Sequence, residues 1–394
     1  MPVKFVLAAY GSRGDTEPCV AVAGELQRRG HHVQMALTVP PEMRAYVESE
    51  GLVTAPYGRD WQALLSDEDF ARMLQNPMNA IPQAVEYVSE VVREKTARLV
   101  SLAEDADLLV AGMTEQTPAG NVAEYYGIPL AALHFFPTQI LQQGSPDNSV
   151  STQSDQAQRR ALGLPDSAVA VQPLEIQAYD EICLPGLAAG WADIADRRPF
   201  VGALTLQLPT DTDDEVLSWI AAGSPPVYFG FGSTPVPAPA DTIAVISAAC
   251  ARIGVRALLC MGPNDFARIP VQDHVKVVRE VNHAAVFPAC RAVVHHGGAG
   301  TTAAGLRAGV PALVLWNGLD QPVWATSVEY LKVGLKRRFS ESTLDSLIAD
   351  LREVLNPHYA NRAKAVADQM TTPAESLSRA ADLLEEAATR GRQG

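Results

Sequence analysis

No run of about 18 consecutive apolar residues occurs in the 394-residue chain, so no spanning helix is expected and any membrane contact would be peripheral. The opening stretch, MPVKFVLAAYGSRGD, is too short in its apolar part to read as a secretory signal. No cluster of five or more lysines and arginines is present and the formal net charge is −14, which argues against nucleic acid as a partner. Cysteine is sparse. The five residues, Cys19, Cys183, Cys250, Cys260 and Cys290, form no CxxC pair and no Cys/His spacing suited to zinc, so free, mostly buried thiols in a reducing cytoplasm are expected. Also missing is a GxGxxG turn after the first strand, which counts against a dinucleotide oxidoreductase.

What the chain does have is 47% apolar residues and no low-complexity tract, enough for two well-buried domains. VKFVLAAY reads as a buried strand, GSRGD as a turn, EPCVAVAGELQRRG as a helix closed by Gly30, and HHVQMALTV as a second strand. This β-loop-α-β unit begins a parallel sheet. DADLLVAGM, a helix near Pro118–Tyr126 and IPLAALHFF continue it. The pattern restarts at PPVYFGFGS, followed by a helix over Asp241–Ile253, strands at VRALLCM, HVKVVR, RAVVHH and PALVLW, and a helix over Thr301–Ala308 between the last two. The reading is α/β with two doubly wound, Rossmann-like domains, 1–208 and 209–372, then a helical tail, 373–394, expected to pack back on the first domain. Gln142–Gln158 is polar and almost without large apolar groups, and reads as a loop.

The most informative segment is RAVVHHGGAGT, where a buried strand runs into a glycine-rich turn and a helix start. Ligands of open α/β sheets bind beyond the carboxyl ends of strands, and helix-start N–H groups favour a phosphate-like anion. Gly297, Gly298 and Gly300 let the main chain approach such an anion, with His295 and Thr301 adding side-chain hydrogen bonds; a diphosphate fits. The alternative is that these glycines only permit tight packing and the histidines are satisfied core groups. In GSRGDTEP, Ser12 and Thr16 supply hydroxyls, and Asp15 is either a helix-start carboxylate or a general base for an acceptor hydroxyl. Ser233 ends the corresponding turn of the second half, and Asp320 and Gln321 lie one β-α unit beyond the anion turn, where an acid and an amide suit sugar hydroxyls. His134, Phe135 and Phe136 end a strand of the first domain and read equally as acceptor contacts or core. Two DxD patterns, Asp67–Asp69 and Asp211–Asp213, suit helix starts and linkers, and no metal is expected.

HHGGAGT, GSRGDTEP, SPPVYFGFGS and DQP, in order along almost the whole chain, resemble the inverting glycosyltransferases of the GT-B fold. LEIQAYDEICLPGL and HHGGAGTTAAGLRAGVP look most like the actinobacterial branch that glycosylates glycopeptide antibiotics and mycobacterial glycopeptidolipids. The resemblance implies two domains facing across a cleft, with Asp15 as base. It also implies a diphosphate cradle of Ser12, Ser233, His295 and the backbone of Gly298, Ala299, Gly300 and Thr301. Val281 and Asn282 of EVNHAAVF would frame the nucleobase, and Asp320 and Gln321 would hold the donor sugar. A hexose or deoxyhexose, such as glucose or rhamnose, would pass from a UDP- or TDP-sugar to a peptide, lipopeptide or other secondary-metabolite hydroxyl, without cofactor or metal. The chain lacks most of the acceptor-side insertion of related enzymes around Gln142–Gln158. A nucleotide-sugar 2-epimerase of the same fold and a non-catalytic carbohydrate-binding protein are the competing readings.

Overall fold

The computed structural model describes residues 2–58, 81–138, 149–166, 173–232, 236, 238–262 and 272–391. The chain divides into two compact units: Met1–Ala178 with Ala188–Leu206 and Pro373–Gly394, and Tyr179–Leu187 with Gln207–Thr372.

In the first unit, β1 (Lys4–Ala8), β2 (His32–Ala36), β3 (Val53–Ala55), β4 (Leu108–Ala111), β5 (Leu130–His134) and β6 (Leu174–Gln177) form a parallel sheet in the order β3-β2-β1-β4-β5-β6. In the second, β7 (Val227–Gly230), β8 (Ala257–Cys260), β9 (Val275–Val278), β10 (Ala292–His295), β11 (Ala312–Trp316) and β12 (Gly334–Arg338) follow the order β12-β11-β10-β7-β8-β9. Each order is the doubly wound 3-2-1-4-5-6 pattern, so the strand order reverses between β1 and β4 and between β7 and β10. Both units are therefore Rossmann-like, as the restart of the sequence pattern at Pro225 implies.

The strands are apolar on both faces because helices cover both. In β7, Val227 and Phe229 enter one core while Tyr228 enters the other, as period-2 alternation demands. Three strands not expected from the sequence pattern, β3, β6 and β12, lie at sheet edges. They are short or interrupted by charge, as in LEIQ and GLKRR, so their apolar signal is weak.

The helix Pro373–Gly391 packs on Arg13–Arg28 in the first unit, burying Ala380, Ala381, Leu384 and Ala388. Arg29 reaches Asp382 at 2.6 Å and Glu385 at 3.3 Å, and His31 reaches Glu385 at 2.8 Å. The excursion Tyr179–Leu187 joins the second unit through polar ties. Asp180 Oδ1 accepts the Thr371 N–H at 2.7 Å, and Ser327 Oγ donates to the Cys183 carbonyl at 2.5 Å.

One expectation is corrected. Ser149–Ala161 is a helix, not part of a loop over Gln142–Gln158; residues 142–148 lie outside the described ones. Its anchorage is polar, which is why hydrophobicity misses it. The fully buried Arg159 donates to Asn121 Oδ1 (2.6 Å), to both Glu124 oxygens (2.9 and 3.0 Å) and to the Pro165 carbonyl (2.7 Å). Asn121 in turn donates to Asp155 and Gln158.

Candidate active site

In the second unit, β10 ends at His295 and the chain turns through Gly297 at φ +96° into the helix Ala299–Arg307, whose N-cap is Gly298. A side chain at Gly297 would be strained by that φ and would meet Val314 Cγ1 at 2.9 Å and the Gln321 carbonyl at 3.1 Å. At Gly298 a Cβ would fall 2.6 Å from His296 Nε2, and at Gly232, after β7, one would fall 2.6 Å from His296 Cε1. The His296 ring is thus flanked by the two loops beside the switch point of this sheet. At Gly300, by contrast, an added Cβ meets nothing within 4 Å. Packing explains Gly297 and Gly298; it does not explain Gly300.

The helix start carries no side-chain cap and no acid in its first turn. Its first intrahelical bond is Thr302 N to the Gly298 carbonyl at 2.9 Å, so the N–H groups of Ala299, Gly300 and Thr301 have no partner within the helix. His295 is buried, and its Nδ1 accepts the Gly297 N–H at 3.1 Å. Burial first, then His296 and His283, push its pKa down to about 3; burial likewise lowers His296 to about 4 against a backbone hydrogen bond with Gly230. Both rings are neutral at physiological pH. With Nδ1 accepting, the His295 proton sits on Nε2, and that atom is buried without a partner. A buried donor left unpaired is costly and calls for an acceptor.

Gln321 is buried beside Gly297, and its Oε1 accepts Asn317 N at 2.8 Å and Gly318 N at 3.4 Å, so it braces its own loop. Asp320 is half-buried at the N-cap of the helix Gln321–Tyr330. The Val281 side chain is in the core, and Asn282 Oδ1 caps the short helix His283–Val286 by accepting Ala284 N at 3.1 Å. These side chains are committed to structure, and so is the Asn282 main chain, whose N–H donates to Asp213 and whose carbonyl accepts Ala285 N at 3.1 Å and Val286 N at 3.0 Å. Ser233 lies outside the described residues, as do Asp67 and Asp69. Asp213 of the other DxD pattern accepts Thr210 N, Thr210 Oγ1 and Asn282 N, each at 2.8 Å, and is a helix-start clamp.

In the first unit, Ser12 is the N-cap of the helix Arg13–Arg28 and Asp15 its third residue. Asp15 Oδ2 accepts Ser12 N at 2.7 Å and Ser12 Oγ at 2.8 Å. Burial raises the Asp15 pKa from its ordinary value, against those hydrogen bonds, which lower it. Gly11 passes beneath at φ +129°, where a Cβ would fall on the Asp15 carboxylate. Asp15 thus braces the helix start, as the helix-start reading expects, and burial makes its carboxyl hold a proton more tightly than a free aspartate. Thr16 is not a free hydroxyl donor, because it is buried and bonded to the Ser12 carbonyl at 3.1 Å.

At the end of β5, His134 is buried, 3.3 Å from Gln116 Nε2, with burial lowering its pKa to about 4. Phe136 is also buried, leaving Phe135, edge-on to it at 5.5 Å between centroids, as the half-exposed member of the trio. Sequence reasoning missed Glu115. It closes the short turn Met113–Glu115 after β4, is fully buried, and accepts Tyr57 OH at 2.6 Å and Lys95 Nζ at 2.5 Å. A carboxylate just past a buried strand, in VAGMTE, was the available signal.

Two Rossmann-like units, one with an uncapped, acid-free helix start at its switch point and the other with a carboxylate at its own, define a class: a two-domain, doubly wound α/β protein. Residues 5–138 match the glycosyltransferase family 28 N-terminal domain, and residues 260–383 the erythromycin biosynthesis protein CIII-like C-terminal domain. The chain is 51% identical to a glycosyltransferase of Mycobacterium leprae, covering 99% of this chain and 98% of that one. It is 31% identical to the vancomycin aglycone glucosyltransferase of Amycolatopsis orientalis, covering 98% of each. Among solved structures, the glycosyltransferase VinC in complex with dTDP superposes with a TM-score of 0.69 at 21% identity, over 99% of this chain and 100% of that one. The chain belongs to this glycosyltransferase family and is a GT-B glycosyltransferase.

Proposed function

We propose that the protein is an inverting glycosyltransferase that moves a hexose or deoxyhexose from a UDP- or TDP-sugar to a hydroxyl of a peptide, lipopeptide or related secondary metabolite, in glycopeptidolipid biosynthesis. The observations that carry the donor half are the unpartnered His295 Nε2–H and, in the same strand-turn-helix segment, the N–H groups of Ala299, Gly300 and Thr301 that have no partner within the helix. These donors and the helix dipole match a diphosphate leaving group and supply the stabilisation of departing charge that a metal gives elsewhere, so no metal is required. Ser233 joins them as a hydroxyl donor, while Ser12, expected in the same cradle, spends its hydroxyl proton on Asp15 and supports the base instead; Val281 and Asn282 frame the nucleobase, and Asp320 and Gln321 meet the sugar.

In this reading the acceptor oxygen attacks the anomeric carbon from the face opposite the leaving group. The carbon–oxygen bond to the diphosphate breaks, the nucleoside diphosphate departs with that electron pair, and the acceptor proton passes to the Asp15 carboxylate. The raised proton affinity of Asp15 suits that task. Phe135 is the residue of its trio best placed to touch an apolar acceptor. The dTDP bound by VinC and the aglycone implied by the name of the vancomycin enzyme support a nucleotide-sugar donor and a secondary-metabolite acceptor. The glycosyltransferase relatives favour transfer over 2-epimerisation.

The test is calorimetry with UDP and TDP, followed by release of nucleoside diphosphate from the corresponding hexose donors with and without EDTA. Binding that is absent for both nucleotides, or turnover that EDTA abolishes, contradicts the proposal.

A further inference from the structure

The buried cluster around Glu115 is not used by the chemistry above, yet it stands where chemistry is expected. The strand order of the first sheet reverses between β1 and β4, and the loops leaving those strands contain Tyr10–Ser12 and Gly112–Gln116. A side-chain bond joins these loops: Thr114 Oγ1 donates to the Tyr10 carbonyl at 2.7 Å. Next along the chain from Tyr10 comes Gly11, threaded beneath the Asp15 carboxylate, and then Ser12, whose N–H and hydroxyl both bond that carboxylate. The Tyr10 peptide is therefore the hinge on which the Asp15 hydrogen bonds hang.

Tyr10 is held a second time, through its ring. Lys95 Nζ lies 4.3 Å from the Tyr10 ring centroid and 4.8 Å from that of Tyr57, and its charge is met by Glu115. Thr114 Oγ1 also lies 3.4 Å from Glu115 Oε1. Glu115, Lys95 and Tyr57 are all buried. A buried ion pair rarely adds net stability over an apolar replacement, so its presence here is better explained by the geometry it enforces. Thr114 itself is exposed, so it contributes little to the core.

We propose that Thr114, backed by the Glu115–Lys95 pair, is a positioning residue for the reaction: by fixing the Tyr10 carbonyl across the switch point, it holds Ser12 and Asp15 in the orientation that accepts the acceptor's proton. The catalytic part of this inference rests on Asp15 being the base; the positioning part does not.

The experiment compares Thr114→Val, which keeps the shape and removes the hydroxyl, with Thr114→Ser, which keeps the hydroxyl. Two quantities are read, alongside Asp15→Asn: hydrogen exchange of the Ser12 amide, which reports its bond to Asp15 directly, and release of UDP or TDP from hexose donors. Thr114→Val is expected to speed Ser12 exchange by about tenfold and lower kcat by a similar factor, with UDP or TDP affinity and melting temperature unchanged. Thr114→Ser is expected to restore both readouts, and Thr114→Val is expected to cost nothing further in the Asp15→Asn background. Unchanged Ser12 exchange in Thr114→Val, or failure of Thr114→Ser to restore it, overturns the positioning role. Faster exchange with wild-type kcat, while Asp15→Asn is inactive, overturns its catalytic relevance alone. Wild-type kcat in Asp15→Asn instead removes Asp15 as base.

Discussion

His295 Nδ1 accepts the N–H of Gly297, two residues on in the turn, and that single bond assigns the ring's remaining proton to Nε2. A histidine held neutral in this way is a fixed donor, not a titrating one. Since burial lowers His295 to about 3 and His296 to about 4, neither changes charge between about pH 5.5 and 8. Nucleotide affinity should therefore show no histidine-linked pH dependence across that range. His295→Ala should weaken UDP or TDP binding by about tenfold, the worth of one hydrogen bond to a charged acceptor. Calorimetry at several pH values checks both.

Gly298 and Gly300 should separate packing from ligand contact. Gly298→Ala places a Cβ 2.6 Å from His296 Nε2, so the ring must shift, at a cost of about 1–3 kcal/mol in stability. Gly300→Ala meets no protein atom within 4 Å and should stabilise the helix by up to about 1 kcal/mol. If the open space at Gly300 belongs to the diphosphate, the same substitution weakens nucleotide binding while melting temperature rises. Parallel melting and titration of the two variants is the measurement.

Asp15→Asn should keep donor binding and lower turnover by about 10²-fold or more. In the wild type the acid limb of the activity profile should lie higher than that of a free aspartate, because burial raises the Asp15 pKa, and activity is lost as pH falls through it. Stability runs the other way. A carboxyl whose folded pKa is raised binds its proton more tightly in the native state, so its contribution is fully present below the unfolded value and lost as pH rises through the folded one. Asparagine has no such loss. The melting temperature of Asp15→Asn relative to wild type should therefore climb with pH from about 4 upward.

Arg159 gives a prediction about folding alone. Replacing it by Ala leaves Glu124 and Asn121 facing a buried void, and should cost about 3–5 kcal/mol in the stability of the first unit. Binding of UDP or TDP, assigned to the second unit, should persist under conditions where the variant remains folded. Denaturant unfolding read beside nucleotide titration tests this.

Much of the fold was legible because doubly wound sheets write themselves in local pattern. Buried parallel strands are continuous apolar runs, their turns are glycine-rich, and the following helices begin within a few residues. VKFVLAAY, DLLVAG, PPVYFGFG and RAVVHH all sit on strands that flank a switch point. Where burial is polar, that legibility fails: the helix Ser149–Ala161 is held by Arg159 and Asn121, and no periodicity announces a guanidinium network.

The amino-acid sequence by itself determined that two doubly wound α/β folds follow one another, that HHGGAGT starts a helix past a strand end, and that a carboxylate stands in the GSRGD turn, since each depends on neighbours along the chain. Only the tertiary structure decided which way His295 is protonated, that the Asp15 carboxylate rests on Ser12 above Gly11, and that Thr114 and Glu115 stand beside Tyr10, 104 residues away from Thr114 in the chain. Hydrogen-bond direction and desolvation arise from atoms brought together in space, and no spacing along a chain encodes them.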